Sequence, residues 1–206
     1  MFYDILDKER MSVLPKFSFL KDRFYLAGGT GLALQLGHRD SVDFDFFTKE
    51  NFDTFNLYKE LLEVFGQENV VKTLEEKGTL SIILNEKIKL SFFSWPYRLL
   101  EPLIKEEFLD TAGIIDIGCM KLSAVTGRAV EKDYIDLYFI LKQISLTTLL
   151  SKAKEKMPDL DYNLILKSII YFDDVVKENI IFKHNRDVSF DEIKGFLEAE
   201  VKKVTN

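Results

Sequence analysis

One segment of the 206-residue chain carries most of its chemical information: Ala27-Gly28-Gly29-Thr30-Gly31-Leu32-Ala33-Leu34-Gln35-Leu36-Gly37-His38-Arg39-Asp40-Ser41-Val42-Asp43-Phe44-Asp45-Phe46-Phe47. A glycine turn follows an apolar run, and two carboxylates one residue apart lie on a second apolar run. Side chains of a strand alternate between its faces, so Asp43 and Asp45 share one face while Val42, Phe44 and Phe46 share the other. The segment therefore predicts an acidic pair on a half-buried strand.

The acidic pair has the chemistry of a magnesium site. Two carboxylates on one face repel, and each raises the pKa of the other unless a cation lies between them. Mg²⁺ usually takes one or two carboxylates and completes its shell with water and substrate phosphate. The pair thus favours chemistry on a nucleoside triphosphate. A strand that simply emerges into solvent is the alternative.

The glycine turn is suited to phosphate. Gly28 and Gly29 allow a close backbone approach to a ligand, because glycine lacks a Cβ and tolerates positive φ. We expect Thr30 to cap a short helix over residues 30–36 that lends amide groups to a phosphate. The Walker loop is excluded because no lysine follows, and a dinucleotide fingerprint because Leu34 replaces its last glycine. An ordinary turn is the alternative.

Composition limits the class of protein. A hydrophobic fraction of 47% and an aromatic fraction of 13% exclude general disorder. The net charge of −6 argues against a surface that grips nucleic acid everywhere, although a local basic cleft is compatible with it. The single cysteine, Cys119, rules out an intrachain disulfide and fits a reducing compartment. The charged start and the lack of a long apolar run predict a cytoplasmic protein without a membrane span.

Periodicity predicts an α+β fold. The first 14 residues form a short amphipathic helix in this interpretation, ahead of a mixed β-sheet with packed helices. The expected strands cover 24–27, 42–47, 69–74, 79–84 and 87–93, and the expected helices cover 30–36, 55–65, 116–128, 132–141, 147–156, 164–177 and 190–204. The pattern predicts a core of mixed β-sheet and packed helices over residues 1–112, followed by a helical half with a C-terminal helical bundle over 113–206.

Two blocks of residues carry a resemblance to a known family. The first is Gly28-Gly29-Thr30 followed by Gly37-His38-Arg39, Ser41 and Asp43-Phe44-Asp45. The second is Met120-Lys121-Leu122-Ser123-Ala124-Val125-Thr126-Gly127-Arg128 with Lys132-Asp133-Tyr134-Ile135-Asp136-Leu137-Tyr138. Together with the connecting segment 89–97, they resemble the AbiEii/AbiGii-type toxin nucleotidyltransferases, a branch of the DNA polymerase β-like superfamily. The resemblance runs from about residue 24 to residue 141.

The resemblance implies functional side chains in the helical half. Lys121 and Asp136 are expected to be catalytic, with Lys121 also on the triphosphate, and Arg128 and Asp133 are secondary candidates. Helical spacing places Lys121 and Arg128 on one face, and Asp133 and Asp136 on one face. Solvated helix surfaces are the alternative for all four. Arg39 either reaches a phosphate or pairs with a neighbouring carboxylate.

One position departs from the family pattern. Polymerase β-like enzymes usually carry a third acid on a later strand, and Ser91 stands near that place in this chain. A serine hydroxyl is neither a good Mg²⁺ ligand nor a base at neutral pH. Either Asp133 or Asp136 substitutes for that acid, with Asp136 expected to face the Asp43–Asp45 pair, or the chain binds nucleotide with little turnover.

The resemblance implies a function. The expected activity is transfer of a nucleoside monophosphate from an NTP, with Mg²⁺ or Mn²⁺, onto an RNA acceptor such as tRNA. It also implies the role of a toxin with a cognate antitoxin protein as partner. Two alternatives stay open: a nucleotide-binding regulatory protein with weak catalysis, and a nucleotidyltransferase that acts on a small molecule or a protein.

Overall fold

The computed structural model describes residues 1–205, and Asn206, the last residue of the predicted helical half, lies outside them. The described residues form a seven-stranded sheet and eight α-helices. The strands are β1 (Tyr25–Ala27), β2 (Phe44–Thr48), β3 (Val70–Glu76), β4 (Thr79–Leu84), β5 (Ile88–Ser94), β6 (Ile104–Lys105) and β7 (Asp110–Thr111). The helices are α1 (Lys8–Val13), α2 (Gly28–Leu36), α3 (Thr54–Phe65), α4 (Ile114–Gly127), α5 (Glu131–Leu141), α6 (Leu146–Lys156), α7 (Tyr162–Ile169) and α8 (Phe190–Thr205).

The sheet is mixed, which confirms the predicted fold class. Its strand order is β3-β4-β5-β2-β1-β7-β6. The pairs β2–β5 and β1–β7 are parallel, while the other neighbours are antiparallel. The register places Asp45 of β2 between Ala27 of β1 and Ser91 of β5. The acidic pair therefore lies near the centre of the sheet.

The two faces of the sheet bury different side chains. Leu26, Phe46 and Phe92 belong to one buried cluster, with α3 and the N-terminal segments around α1. Tyr25 and Phe47 point to the opposite face, into a cluster formed with the helices from α4 onward. Since Asp45 alternates in phase with Phe47, it faces the helical half as well. Strand periodicity thus aims the carboxylate at the space between sheet and helices.

Several boundaries differ from the predicted ones. The N-terminal helix is shorter, because α1 covers six residues and 3₁₀ turns at Tyr3–Ile5 and Leu14–Leu20 flank it. The two-residue strands β6 and β7 were not predicted, since such short segments have no periodicity to detect. Within residues 1–205 no helix has the length and apolar character needed to cross a membrane. The division at residue 112 stays a prediction.

The predicted helix over 164–177 is wrong in its second half. Helix α7 ends at Ile169, and the carbonyl oxygens of Ser168 and Tyr171 lie 3.2 and 2.8 Å from the Tyr134 hydroxyl, which holds this turn in place. Residues 170–189, which we call the strap, then run without helix or strand. The strap forms one isolated bridge from Val176 to the α4–α5 turn and another from Phe182 to the segment after α2.

Candidate active site

The two predicted carboxylates lie side by side at the start of β2. Asp45 is largely buried, and burial together with the neighbouring charge of Asp43 raises its pKa. Lys121 and Lys89 oppose this shift without cancelling it. The two carboxylates are thus close enough for the charge of Asp43 to act on Asp45. Such an arrangement of hard oxygen donors fits Mg²⁺ or Mn²⁺, which prefer carboxylate oxygens.

The glycine turn packs directly against this pair. Gly28 has a φ of +63°, and a Cβ built on it would lie 2.9 Å from Asp45 Oδ2. A Cβ on Gly29 would lie 2.6 Å from Arg39 Nη2. A side chain at either position would therefore displace a site group, and at Gly28 it would also strain the backbone.

Thr30 has a different place from the one predicted. Helix α2 begins at Gly28, so Thr30 lies inside its first turn, and the side chain of the capping residue Ala27 makes no hydrogen bond. The buried Thr30 hydroxyl donates to the carbonyl of Asp43 and lies 2.7 Å from Ser41 Oγ. Thr30 therefore positions the Asp43 segment.

Asp136, on α5, is the centre of a buried charge network. Its Oδ1 accepts from His38 Nε2 and Arg39 Nε, each at 2.8 Å, and its Oδ2 accepts from Arg39 Nη2 at 2.8 Å. Lys121 Nζ lies 2.5 Å from the same Oδ2. Burial disfavours the charged carboxylate, but Arg39 and Lys121 outweigh burial and hold the pKa of Asp136 well below its usual range. Burial lowers the pKa of His38, so its ring is neutral at pH 7.

Asp133 extends the network toward solvent. Lys121 Nζ donates to its Oδ1 at 2.7 Å, and Arg128 Nε donates to its Oδ2 at 2.8 Å. Burial opposes the charge of Asp133 as well, yet Lys121 and Arg128 lower its pKa overall. Lys121 therefore lies between two carboxylates, while the Arg128 side chain is 56% exposed.

The expectation that Asp136 faces the acidic pair is corrected by this geometry. Both oxygens of Asp136 are fully engaged by cations and by His38, and neither Asp136 nor Asp133 lines the pocket beside Asp45. Arg39 and Lys121 do line that pocket. Ser91 also lines it, with its hydroxyl 3.4 Å from Ser81 Oγ. Within residues 1–205 no third acid, histidine or cysteine joins the pair in a metal-holding cluster.

The pocket has a volume of about 660 Å³ and two chemically different ends. The polar end contains the glycine turn, the acidic pair and five cationic side chains. The apolar end contains side chains from β2, β5, the residue after β5, and α4. The cationic side chains are Arg39, Lys89, Lys121, Arg128 and Lys132, and the large apolar side chains are Phe47, Phe93, Trp95, Ile117 and Met120.

Three groups of residues that line the pocket were not predicted from the sequence. Lys89 was available to sequence reasoning, because it precedes Ser91 by two residues on one strand and so shares its face. Lys132 pairs with Glu178 of the strap at 3.1 Å. The strap contributes Glu178, Asn179 and Ile180 to the lining of the pocket. The apolar spacing of residues 164–177 predicted a helix there, so the sequence did not indicate that the following residues reach the pocket.

Comparisons with known proteins agree with this architecture. The profile described as "Nucleotidyl transferase AbiEii toxin, Type IV TA system" matches residues 13–203. An uncharacterised protein of Aquifex aeolicus (strain VF5) is 36% identical over 205 residues, which cover 96% of each chain.

Two solved structures share the fold at low identity. MenT4, a nucleotidyltransferase toxin of Mycobacterium tuberculosis H37Rv, has a TM-score of 0.62 at 16% identity, over 95% of this chain and 82% of its own. JHP933 of Helicobacter pylori has a TM-score of 0.58 at 20% identity, over 98% and 91% respectively. With a family profile that spans nearly the whole chain, these findings confirm the resemblance drawn from the two blocks: the protein belongs to the AbiEii family of toxin nucleotidyltransferases.

Proposed function

We propose that the protein transfers a nucleoside monophosphate from an NTP to a hydroxyl of an RNA acceptor, with Mg²⁺ or Mn²⁺ held by Asp43 and Asp45. The observation that carries this proposal is the repelling acidic pair packed against the glycine turn in a cation-lined pocket. A bound divalent cation would neutralise the pair and polarise the phosphates. Lys121 and Arg128 are engaged by Asp133 and Asp136, and the pKa of Asp45 stays raised despite the nearby charges of Lys89 and Lys132.

The reaction is a substitution at the α-phosphorus. The acceptor hydroxyl oxygen forms a bond to this phosphorus, the bond to the β-bridging oxygen breaks, pyrophosphate leaves, and the hydroxyl proton is released to water. The turn at Gly28 and Gly29 would hold phosphate through its backbone, and Lys121 would stabilise charge on the leaving group. Asp136 would act through others, because it holds Arg39 and Lys121 in place.

The positive charge around the pocket favours an RNA acceptor, although the net charge of the whole chain is negative. Lys89, Arg128 and Lys132 gather at the polar end of the pocket although the whole chain carries −6. Lys89 is exposed and lines the pocket, so its charge is available to a phosphate. Because the family is one of type IV toxin–antitoxin systems, a cognate antitoxin is the expected protein partner.

Ser91 favours a second candidate function. It pairs with Asp45 in the parallel β2–β5 register, where the resemblance leads one to expect the third acid. A site with two acids and a serine suits nucleotide binding with slow or absent turnover. This candidate and the leading proposal share the nucleotide site and differ in product formation.

The decisive experiment combines binding and turnover. Calorimetry with each NTP should show binding that requires Mg²⁺ in the wild type and is lost in the double variant Asp43→Asn, Asp45→Asn. The double variant should fold normally, because it removes two repelling charges, and its thermal melt provides that check.

Turnover is then followed with each labelled NTP and total RNA. Label that enters RNA in the wild type and not in the double variant supports the leading proposal. Label that enters protein or a small molecule instead supports the alternative acceptors. Binding without label transfer, with either Mg²⁺ or Mn²⁺, supports the regulatory candidate. Unchanged metal-dependent binding in the double variant would refute the metal site.

A further inference from the structure

We infer that the base of the incoming NTP lies against an aromatic wall at the apolar end of the pocket, formed by Phe47, Phe93 and Trp95. This inference rests on the proposed function, since it presumes that the polar end takes the triphosphate. It adds the place of the base, a direct spectroscopic signal of its binding, and the residues that would carry affinity for it.

The wall is continuous with the acidic pair along the strands. Phe47 follows Asp45 by two residues on β2, and Phe93 follows Ser91 by two residues on β5, so all four share one face. Two residues of strand span about 7 Å. That distance leaves room for a ribose between a phosphate at the acidic pair and a base at the wall.

The aromatic side chains are arranged as a surface. The rings of Phe47 and Phe93 are stacked, with centroids 5.1 Å apart and an interplanar angle of 29°. Trp95 stands edge-on to Phe47 at 6.3 Å and 81°. Phe93 and Trp95 are only partly buried, and Met120 of α4 lines the same end of the pocket. A flat apolar ligand is the shape that such a surface accepts.

The two ends of the pocket thus match the two ends of a nucleotide. The polar end offers the glycine turn and cationic side chains, and the apolar end offers aromatic rings. Stacking on aromatic side chains tolerates every base, because each has a π-face. The wall therefore supplies affinity that the four NTPs share, and choice among them depends on polar groups at the base edge.

Trp95 is the only tryptophan of the chain, so its fluorescence reports on this end of the pocket alone. Each NTP is titrated with Mg²⁺ and no RNA, and inorganic tripolyphosphate serves as the ligand that has phosphates without a base. We expect at least one NTP to change the emission strongly, and tripolyphosphate to displace that NTP without changing the emission itself. An NTP that binds by calorimetry while the emission stays constant refutes the wall and leaves the proposed function standing. An equal response to tripolyphosphate refutes the wall too.

Substitutions at the aromatic wall test which side chains contribute to NTP affinity. Phe93→Leu should weaken NTP binding about tenfold and leave tripolyphosphate binding unchanged, because base–aromatic stacking contributes on the order of a tenfold factor or more. Retained tripolyphosphate binding also shows that the variant folds. Trp95→Phe keeps an aromatic ring and should retain most of the NTP affinity. Phe55→Leu is the matched control, because Phe55 is a 55% exposed aromatic residue on α3. This substitution should change the binding of neither NTP nor tripolyphosphate. Equal weakening of both ligands by Phe93→Leu would contradict the inference.

Discussion

Replacement of Asp136 by asparagine is the sharpest test of the buried charge network. The substitution keeps the shape of the side chain and removes its charge. It also turns one acceptor oxygen into an NH₂ donor that faces Arg39 and Lys121, which are donors themselves. The wild-type network holds three cations and two carboxylates, and the variant holds three cations and one. The excess positive charge is then buried without a partner.

The expected loss of stability depends on which hydrogen-bond partners each cation keeps in the variant. Lys121 retains the Asp133 carboxylate at 2.7 Å, but the Arg39 side chain, 4% exposed, keeps no carboxylate and retains the Asp40 carbonyl at 2.8 Å and at most the one remaining amide oxygen. Removal of one partner of a buried ion pair costs about 3–5 kcal/mol. For a chain of this length such a loss lowers the melting temperature by roughly 10 °C. Asp133→Asn is the matched control, with an expected loss of about 1–3 kcal/mol, because Arg128 can turn to solvent.

The low pKa of Asp136 also predicts how the difference in stability between wild type and Asp136→Asn depends on pH. The pKa of Asp136 is held below its usual range, so its contribution to stability is present above the unfolded-state pKa of about 4 and is lost as the pH falls through the folded-state value. Denaturant unfolding at a series of pH values should therefore show the gap between wild type and Asp136→Asn at its widest near neutrality. The gap should narrow below about pH 4. A loss of less than about 1 kcal/mol, far under the value for a broken buried pair, or a gap that does not change with pH, would refute the network as described.

Three further predictions concern the site and its surroundings. Gly28→Ala should abolish Mg²⁺-dependent NTP binding, since the new Cβ meets Asp45 at a positive φ; calorimetry on a variant that still melts cooperatively checks this, and normal binding would contradict it. Lys89→Ala should weaken NTP binding severalfold at low salt and less at high salt, with no change in melting temperature, because Lys89 is an exposed side chain that lines the pocket. Cys119 should resist alkylation in the native protein and react fully in denaturant, since burial raises its pKa to about 12; mass spectrometry after brief iodoacetamide treatment measures this.

Local rules of the sequence were enough for the sheet side of the site. Alternation along a strand predicts that Asp43 and Asp45 share one face, and this part of the prediction needed no tertiary information. The family followed from the two blocks and the fold class from periodicity, and both are confirmed. The start of α2 was predicted two residues too late, at Thr30 instead of Gly28, because helix boundaries depend on capping geometry that spacing does not reveal.

The helical side was harder to predict for a physical reason. Spacing shows that Asp133 and Asp136 share a face of α5, but the direction of that face depends on how the helix packs. The carboxylates in fact turn toward Lys121 and Arg39, and not toward the acidic pair. The first residues of the strap have the apolar spacing of a helix, but the strap bridges two separate parts of the chain through Val176 and Phe182, and this arrangement is visible only in three dimensions.

The strap also limits how the pocket can move. Its Val176 amide donates to the Ala129 carbonyl beside α5, and its Ile181 carbonyl accepts from the Asp40 amide after α2. An opening that separated the two parts of the pocket at the ends of the strap would have to break the backbone hydrogen bonds at one of these ends. The exchange of the Val176 and Asp40 amide protons with deuterated solvent therefore reports how often each end of the strap opens.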